Sequence, residues 1–187
     1  MTGIILSGGE NSRMGANKAF LVIDGERLID RTVRVFKSIF QEVIVVTNSQ
    51  LDYLDLDVTL VTDIYPGKKA LGGIYTGLFY AGCPQAFVAA CDMPFLNPAF
   101  IHYMVERVNG YDIVVPETSE GFQPLHAIYA KSCLPNMKRL INQDKLKITG
   151  FYKGLKCLTI AEAQAKVYDP DGRMFINVNT QEDLQSI

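Results

Sequence analysis

Residues 3–18 read GIILSGGENSRMGANK. The run 3–6 has no polar alternation and passes straight into Ser7, Gly8 and Gly9. Short apolar runs of this kind suit strands of a parallel sheet that is covered on both faces. Four more follow, at 43–46, 58–61, 87–90 and 113–115. Between the first two, Leu28, Ile29, Val33, Phe36, Ile39 and Phe40 recur at helical spacing, which predicts a helix over 28–40. Asn97 followed by Pro98 reads as a helix cap and a first-turn proline. The helix they open lays Phe100, Ile101, Met104, Val105 and Val108 along one stripe. Strand and helix alternate over the first 115 residues, the signature of right-handed βαβ crossovers. The expected fold class is therefore α/β: a three-layer α/β/α, mostly parallel, Rossmann-like sheet.

The last third is less regular. Further strands are expected at 125–129, a candidate antiparallel strand, and at 167–168. Helices are expected at 135–142 and 180–186, the latter capped by Thr180. No repeat or polar linker divides the chain, so 1–187 is expected to form a single domain.

Composition narrows the class of function. A chain of 187 residues, 48% apolar, can bury a core large enough to need no disulfide or metal staple. Cys83, Cys91, Cys133 and Cys157 form no C-x-x-C pair, which points to reduced thiols and a cytoplasmic location. No apolar run approaches the roughly 20 residues that span a bilayer, and the N-terminus carries no charged leader. The net charge of -2 argues against nucleic acid as the main partner. With only His102 and His126, the chain has no H-E-x-x-H zinc site.

Ligands of open α/β sheets sit at the carboxyl ends of the strands. Here those ends lead into Ser7-Gly8-Gly9, Thr47-Asn48, Asp63 and Cys91-Asp92, so four strands would converge on one polar rim. The stretch 6–18 carries most of the signal. Gly8 and Gly9 let backbone N–H groups approach an anion, while Arg13 offers a planar fork and Lys18 a mobile charge. The loop fits neither G-x-x-x-x-G-K-[ST] nor G-x-G-x-x-G. Asp92, in CDMPF, is the candidate magnesium ligand, since magnesium needs only one or two carboxylates beside phosphate oxygens and water.

LSGGENSRMGANK, LGGIYTGL, CDMPF and FINVNTQEDL, in that order from residue 3 to residue 184, resemble the signatures of molybdenum cofactor guanylyltransferases. That resemblance implies a fold of the nucleotide-diphospho-sugar transferase type. It also implies magnesium-dependent transfer of GMP from GTP to the terminal phosphate of molybdenum-molybdopterin, with release of pyrophosphate. On the matching positions, Leu6, Ser7 and Gly8 would hold the guanine and ribose end. Gly9, Arg13 and Lys18 would handle phosphates, with Arg13, Lys18 and Asp92 as the catalytic set. Asn48 and Asp63 would line the nucleotide pocket, Asp92 would bind metal and nucleotide, and Asn177 and Asn179 would lie near the reacting phosphates. Molybdoenzymes or cofactor-delivery proteins are the implied transient partners, with no membrane involved.

Two departures stand out. Ala70 takes the place of a proline before the paired glycines, with Lys68 and Lys69 beside it, and Gln181 takes the place of a second proline. GFQPLHAIY resembles the family's Q-P-L-H-A stretch and would set Gln123, His126 and Tyr129 on the acceptor side; the alternative is an ordinary strand with a hydrogen-bonded histidine. Lys145, Lys147, Lys153 and Lys156, interleaved with Phe151 and Tyr152, form either a groove for the anionic pterin or an exposed basic surface. Three competing activities stay open: CTP used on the same pterin, a nucleotide used on a sugar or polyol phosphate, and nucleotide binding without catalysis. A Ser-His-Asp hydrolase is disfavoured because no G-x-S-x-G elbow is present.

Overall fold

The computed structural model describes residues 1–8, 17–178, 180, 182 and 183. In chain order the elements are β1 (Thr2–Leu6), β2 (Val22–Ile23), β3 (Glu26–Arg27), α1 (Leu28–Ile39), β4 (Glu42–Val46) and β5 (Thr59–Val61). Then come α2 (Lys69–Tyr80), β6 (Gln85–Ala90), α3 (Pro98–Val105), β7 (Ile113–Thr118) and β8 (Gly121–Phe122). The last are β9 (His126–Ala130), α4 (Leu134–Asn142), β10 (Cys157–Ala161) and α5 (Glu162–Ala165).

One sheet runs β10-β7-β9-β6-β1-β4-β5, with β8 paired to β7 and β2–β3 forming a separate hairpin. β1 is the axis: every residue in it is buried, and it pairs in parallel with β4 on one side and β6 on the other. β5 extends the parallel set beyond β4, and β9 is inserted antiparallel between β6 and β7. That antiparallel strand agrees with the sequence reading.

Alternate residues of each strand feed two cores. Ile5, Val45, Phe87 and Ile128 meet Phe36 of α1 and Phe100 of α3 on one face. Ile4, Ile44, Val88 and Tyr129 meet Leu71 and Ile74 of α2 and Met137 of α4 on the other. The crossover α1 therefore lies on one face of the sheet and α2 on the opposite face. The strand order reverses between β1 and β6, and a crevice opens at such a switch point, outside the carboxyl ends.

One expectation changes. Val167 and Tyr168 form no strand; Val167 is 77% exposed in a turn beyond α5, and the edge strand is β10 instead. The stretch LGGIYTGL is helical within α2, where a methyl group at Gly77 would overlap the Ile4 side chain, so glycine there lets the helix lie against β1. Of the expected helix 180–186, the described residues show its start. Thr180 Oγ1 accepts from Asp183 N (3.1 Å), and Asp183 Oδ2 accepts from Thr180 N (2.9 Å).

Candidate active site

The four parallel strand ends frame a cleft of about 820 Å³ lined by Ser7, Gly8, Thr47, Asn48, Asp63, Cys91 and Asp92. Lys18, Lys69 and Leu125 also border it. The convergence follows from register: Leu6 lies opposite Val46 and Ala90, so the residues that follow leave the sheet at one level. Ser7 N donates to Val46 O (2.9 Å) and Cys91 N to Leu6 O (3.0 Å), which carries the pairing one residue past the strands.

Asp92 is the chemical focus. Its Oδ1 is buried without a hydrogen-bond partner. Burial holds its carboxyl above the usual carboxylate range, and the nearby Lys18 ammonium pulls it back down. Val178 N donates to the Asp92 carbonyl (2.8 Å), which brings the chain around Asn177 beside this loop. A carboxylate on the cleft wall with one unpartnered oxygen suits a hard divalent cation. Among the described residues, no group of three or more His, Cys, Asp or Glu side chains could make an all-protein metal cage. Magnesium needs none, because phosphate and water complete its shell. Cys91 is buried, and burial pushes its thiol up to about 12, so it stays protonated and is no nucleophile.

Asn48 and Asp63 share a bond, Asn48 Oδ1 accepting from Asp63 N (3.2 Å). Asp63 Oδ1 is already engaged: it accepts from Thr76 Oγ1 (2.8 Å) and Tyr65 N (3.0 Å), tying the turn after β5 to α2. The carboxylate therefore braces the cleft wall as well as lining it.

The paired lysines part company. Lys68 Nζ reaches Asp144 Oδ1 (2.9 Å) on the surface. Lys69 borders the cleft from a left-handed backbone (φ 53), a conformation that L side chains rarely adopt. Gly9, Arg13 and Asn179, expected at the phosphates, lie outside the described residues, as does Gln181. Asn177 is exposed and is not among the cleft-lining residues.

Other expectations are corrected. The His126 ring makes no hydrogen bond and does not line the cleft. It is wholly buried among Phe87, Phe100 and Phe175, with ring centroids 5.1, 5.7 and 5.3 Å away. Burial lowers its pKa to about 3. Its neighbour Leu125 borders the cleft in its place. Tyr129 is also a core residue, its hydroxyl donating to Pro124 O (2.7 Å), while Gln123 Nε2 donates to Thr118 Oγ1 (3.1 Å). Phe151 is fully buried, so the four lysines around it form an exposed basic surface and no aromatic groove. His102 is exposed, on the polar side of α3.

Sequence reasoning missed Tyr53, whose buried hydroxyl lies 2.7 Å from both Ser7 Oγ and Asn17 Nδ2. An aromatic residue in a polar stretch, LDYLDLD, was the only signal.

A parallel sheet whose carboxyl ends enclose a cation-facing carboxylate and a lysine after a glycine loop defines an α/β nucleotide-handling protein. The chain belongs to the MobA-like NTP transferase family, whose model matches residues 3–156. It is 41% identical over 187 residues to a molybdenum cofactor guanylyltransferase of Desulfosudis oleivorans, covering 99% of this chain and 93% of the relative. A probable molybdenum cofactor guanylyltransferase of Pelotomaculum thermopropionicum is 36% identical, with coverages of 98% and 89%. Among solved structures, molybdopterin-guanine dinucleotide biosynthesis protein A from Archaeoglobus fulgidus superposes with a TM-score of 0.85 at 26% identity, covering 100% of this chain and 96% of that one. The chain is thus a nucleotidyltransferase, and the Rossmann-like α/β fold agrees with its neighbours.

Proposed function

We infer that the protein transfers GMP from GTP to molybdenum-molybdopterin, releasing pyrophosphate. The relatives named as molybdenum cofactor guanylyltransferases support the substrates, and the orphaned Asp92 oxygen beside Lys18 supports the chemistry. In this reading 1–187 acts as one nucleotidyltransferase domain.

The attacking group is already a phosphate anion, so no general base is required. The barrier lies in repulsion between that anion and the triphosphate, and in charge gathering on departing pyrophosphate. Positioning and fixed positive charge answer both. Leu6, Ser7 and Gly8 form the floor that receives the nucleoside end, with Asn48 and Asp63 forming the wall. Lys18, with Arg13 and Gly9, faces the phosphates and stabilises the leaving charge. Magnesium, held by Asp92 and the phosphate oxygens, would supply charge neutralisation at the α-phosphate. Asn179 assists at the acceptor end. The described residues contain no helix long and apolar enough to cross a membrane. The four cysteines are free thiols, in keeping with a cytoplasmic enzyme that meets molybdoenzymes or cofactor-delivery proteins transiently.

The test is thermal stabilisation by GTP, CTP, UTP and ATP, each with and without magnesium. Magnesium-dependent stabilisation by GTP alone is expected. A preference for CTP would overturn the donor, and no shift with any nucleotide would favour a non-catalytic role.

A further inference from the structure

Tyr53 ends the short 3-10 turn Gln50–Tyr53 that follows β4. Its side chain is fully buried, with its ring packed on Phe20 at 5.1 Å between centroids. Its hydroxyl meets Ser7 Oγ at 2.7 Å and Asn17 Nδ2 at 2.7 Å. A phenol has one proton to give and two lone pairs to accept with. Asn17 Nδ2 only donates, so the phenol accepts from it and its own proton is left for Ser7 Oγ.

These partners come from separate segments. Ser7 follows β1, Tyr53 lies beyond β4, and Asn17 immediately precedes Lys18. Asn17 works at both ends of its amide, because Oδ1 also accepts from Ala19 N (3.2 Å) and caps the turn Lys18–Phe20. On the far side, Cys91 N donates to Leu6 O (3.0 Å), which ties the strand end before Ser7 to the neighbour of Asp92. Side-chain hydrogen bonds therefore link the residue before Lys18 to the exit of β1, through Asn17, Tyr53 and Ser7. Burial keeps the Tyr53 phenol protonated, so the link adds no charge and acts by geometry alone.

We propose that Tyr53 is the positioning residue of the nucleotide cleft, its single hydroxyl holding Asn17 to Ser7 and so setting the Lys18 ammonium against the nucleotide phosphates. The proposal rests on the nucleotide-transfer reading and adds a residue to it.

The test is a double-mutant cycle on the full chain with Tyr53→Phe, Lys18→Ala and the pair, titrating GTP with magnesium and measuring KM for GTP and for acceptor. Phenylalanine keeps the ring contact with Phe20. The expected result is GTP affinity about tenfold weaker in Tyr53→Phe, KM for acceptor unchanged, and no additional loss when Lys18→Ala is already present. A merely structural tyrosine would instead cause a loss that adds to that of Lys18→Ala, and that result overturns the proposal. So does GTP binding within twofold of wild type. Should Tyr53→Phe fail to fold, Asn17→Ser removes the same link while keeping a capping oxygen, with the same expectation and the same overturning result. Wild-type protein that binds none of the four nucleotides defeats the transfer reading and the proposal together. Normal wild-type binding with an indifferent Tyr53→Phe defeats the proposal alone.

Discussion

Asp92 and His126 share an anomaly and differ in what surrounds it. They lie on or just past neighbouring strands, Ala89 of β6 lying opposite His126 of β9, with Asp92 three residues further on in the turn after β6. Both carry buried polar atoms that make no hydrogen bond. Asp92 borders a cleft and feels the Lys18 ammonium, whereas His126 meets three phenyl rings and no solvent. A buried, unpartnered atom of this kind costs free energy in either place. At Asp92 a cation can enter and offset that cost; at His126 the side chain stays neutral. An orphaned polar group therefore signals a ligand only where a cleft reaches it.

The contrast breaks most readily at Asp92. Asp92→Asn keeps the shape and removes the charge, so turnover should fall by a hundredfold or more, on the order of 3 kcal/mol of barrier. The fold should hold or gain stability. With its folded pKa raised, ionised Asp92 opposes folding above the unfolded value, and the amide lifts that burden. Pyrophosphate release together with a melting curve checks both. Retained turnover with a lowered melting temperature would make Asp92 a structural residue like His126.

Lys18→Ala comes next, with an expected ten- to hundredfold loss of turnover. It should also move the acid limb of the rate profile to higher pH. Lys18 is what draws the Asp92 pKa down, and removing it lets burial push the carboxyl further up. An unmoved acid limb would separate the two residues.

The smallest effect on activity belongs to His126→Leu, which should leave turnover within twofold of wild type. Its signature is in stability. The folded pKa is about 3 against 6.5 for the free side chain, so unfolding takes up a proton as pH falls through that window. Wild type should lose stability between about pH 6.5 and 3, and the leucine variant should gain on it over the same range. Parallel stability curves in urea would show that His126 carries no such linkage.

Much of this arrangement was legible in the sequence. Unalternated strands reveal a sheet covered on both faces, and their polar exits located the rim, including Lys18, Asn48, Asp63 and Asp92. What stayed hidden has physical reasons. Gly72, Gly73 and Gly77 lower helix propensity in α2, yet Gly77 serves a close crossing with Ile4 that exists only once β1 is in place. β10 is an edge strand with one fully buried residue, Ile160, so its alternation is faint. His126 looked like a site residue because GFQPLHAIY resembles a family stretch, and one-residue strand alternation turned it inward while Leu125 bordered the cleft. Tyr53 draws its meaning from Ser7 and Asn17, 46 and 36 residues away, and no local pattern could reveal that.

The most direct experiment is pyrophosphate release from GTP, CTP, UTP and ATP in the presence of magnesium and molybdenum-molybdopterin, run on wild type and Asp92→Asn. Release from GTP alone, dependent on acceptor and lost in Asp92→Asn, is the expected result. Equal release by Asp92→Asn, or none from GTP in wild type, would contradict it.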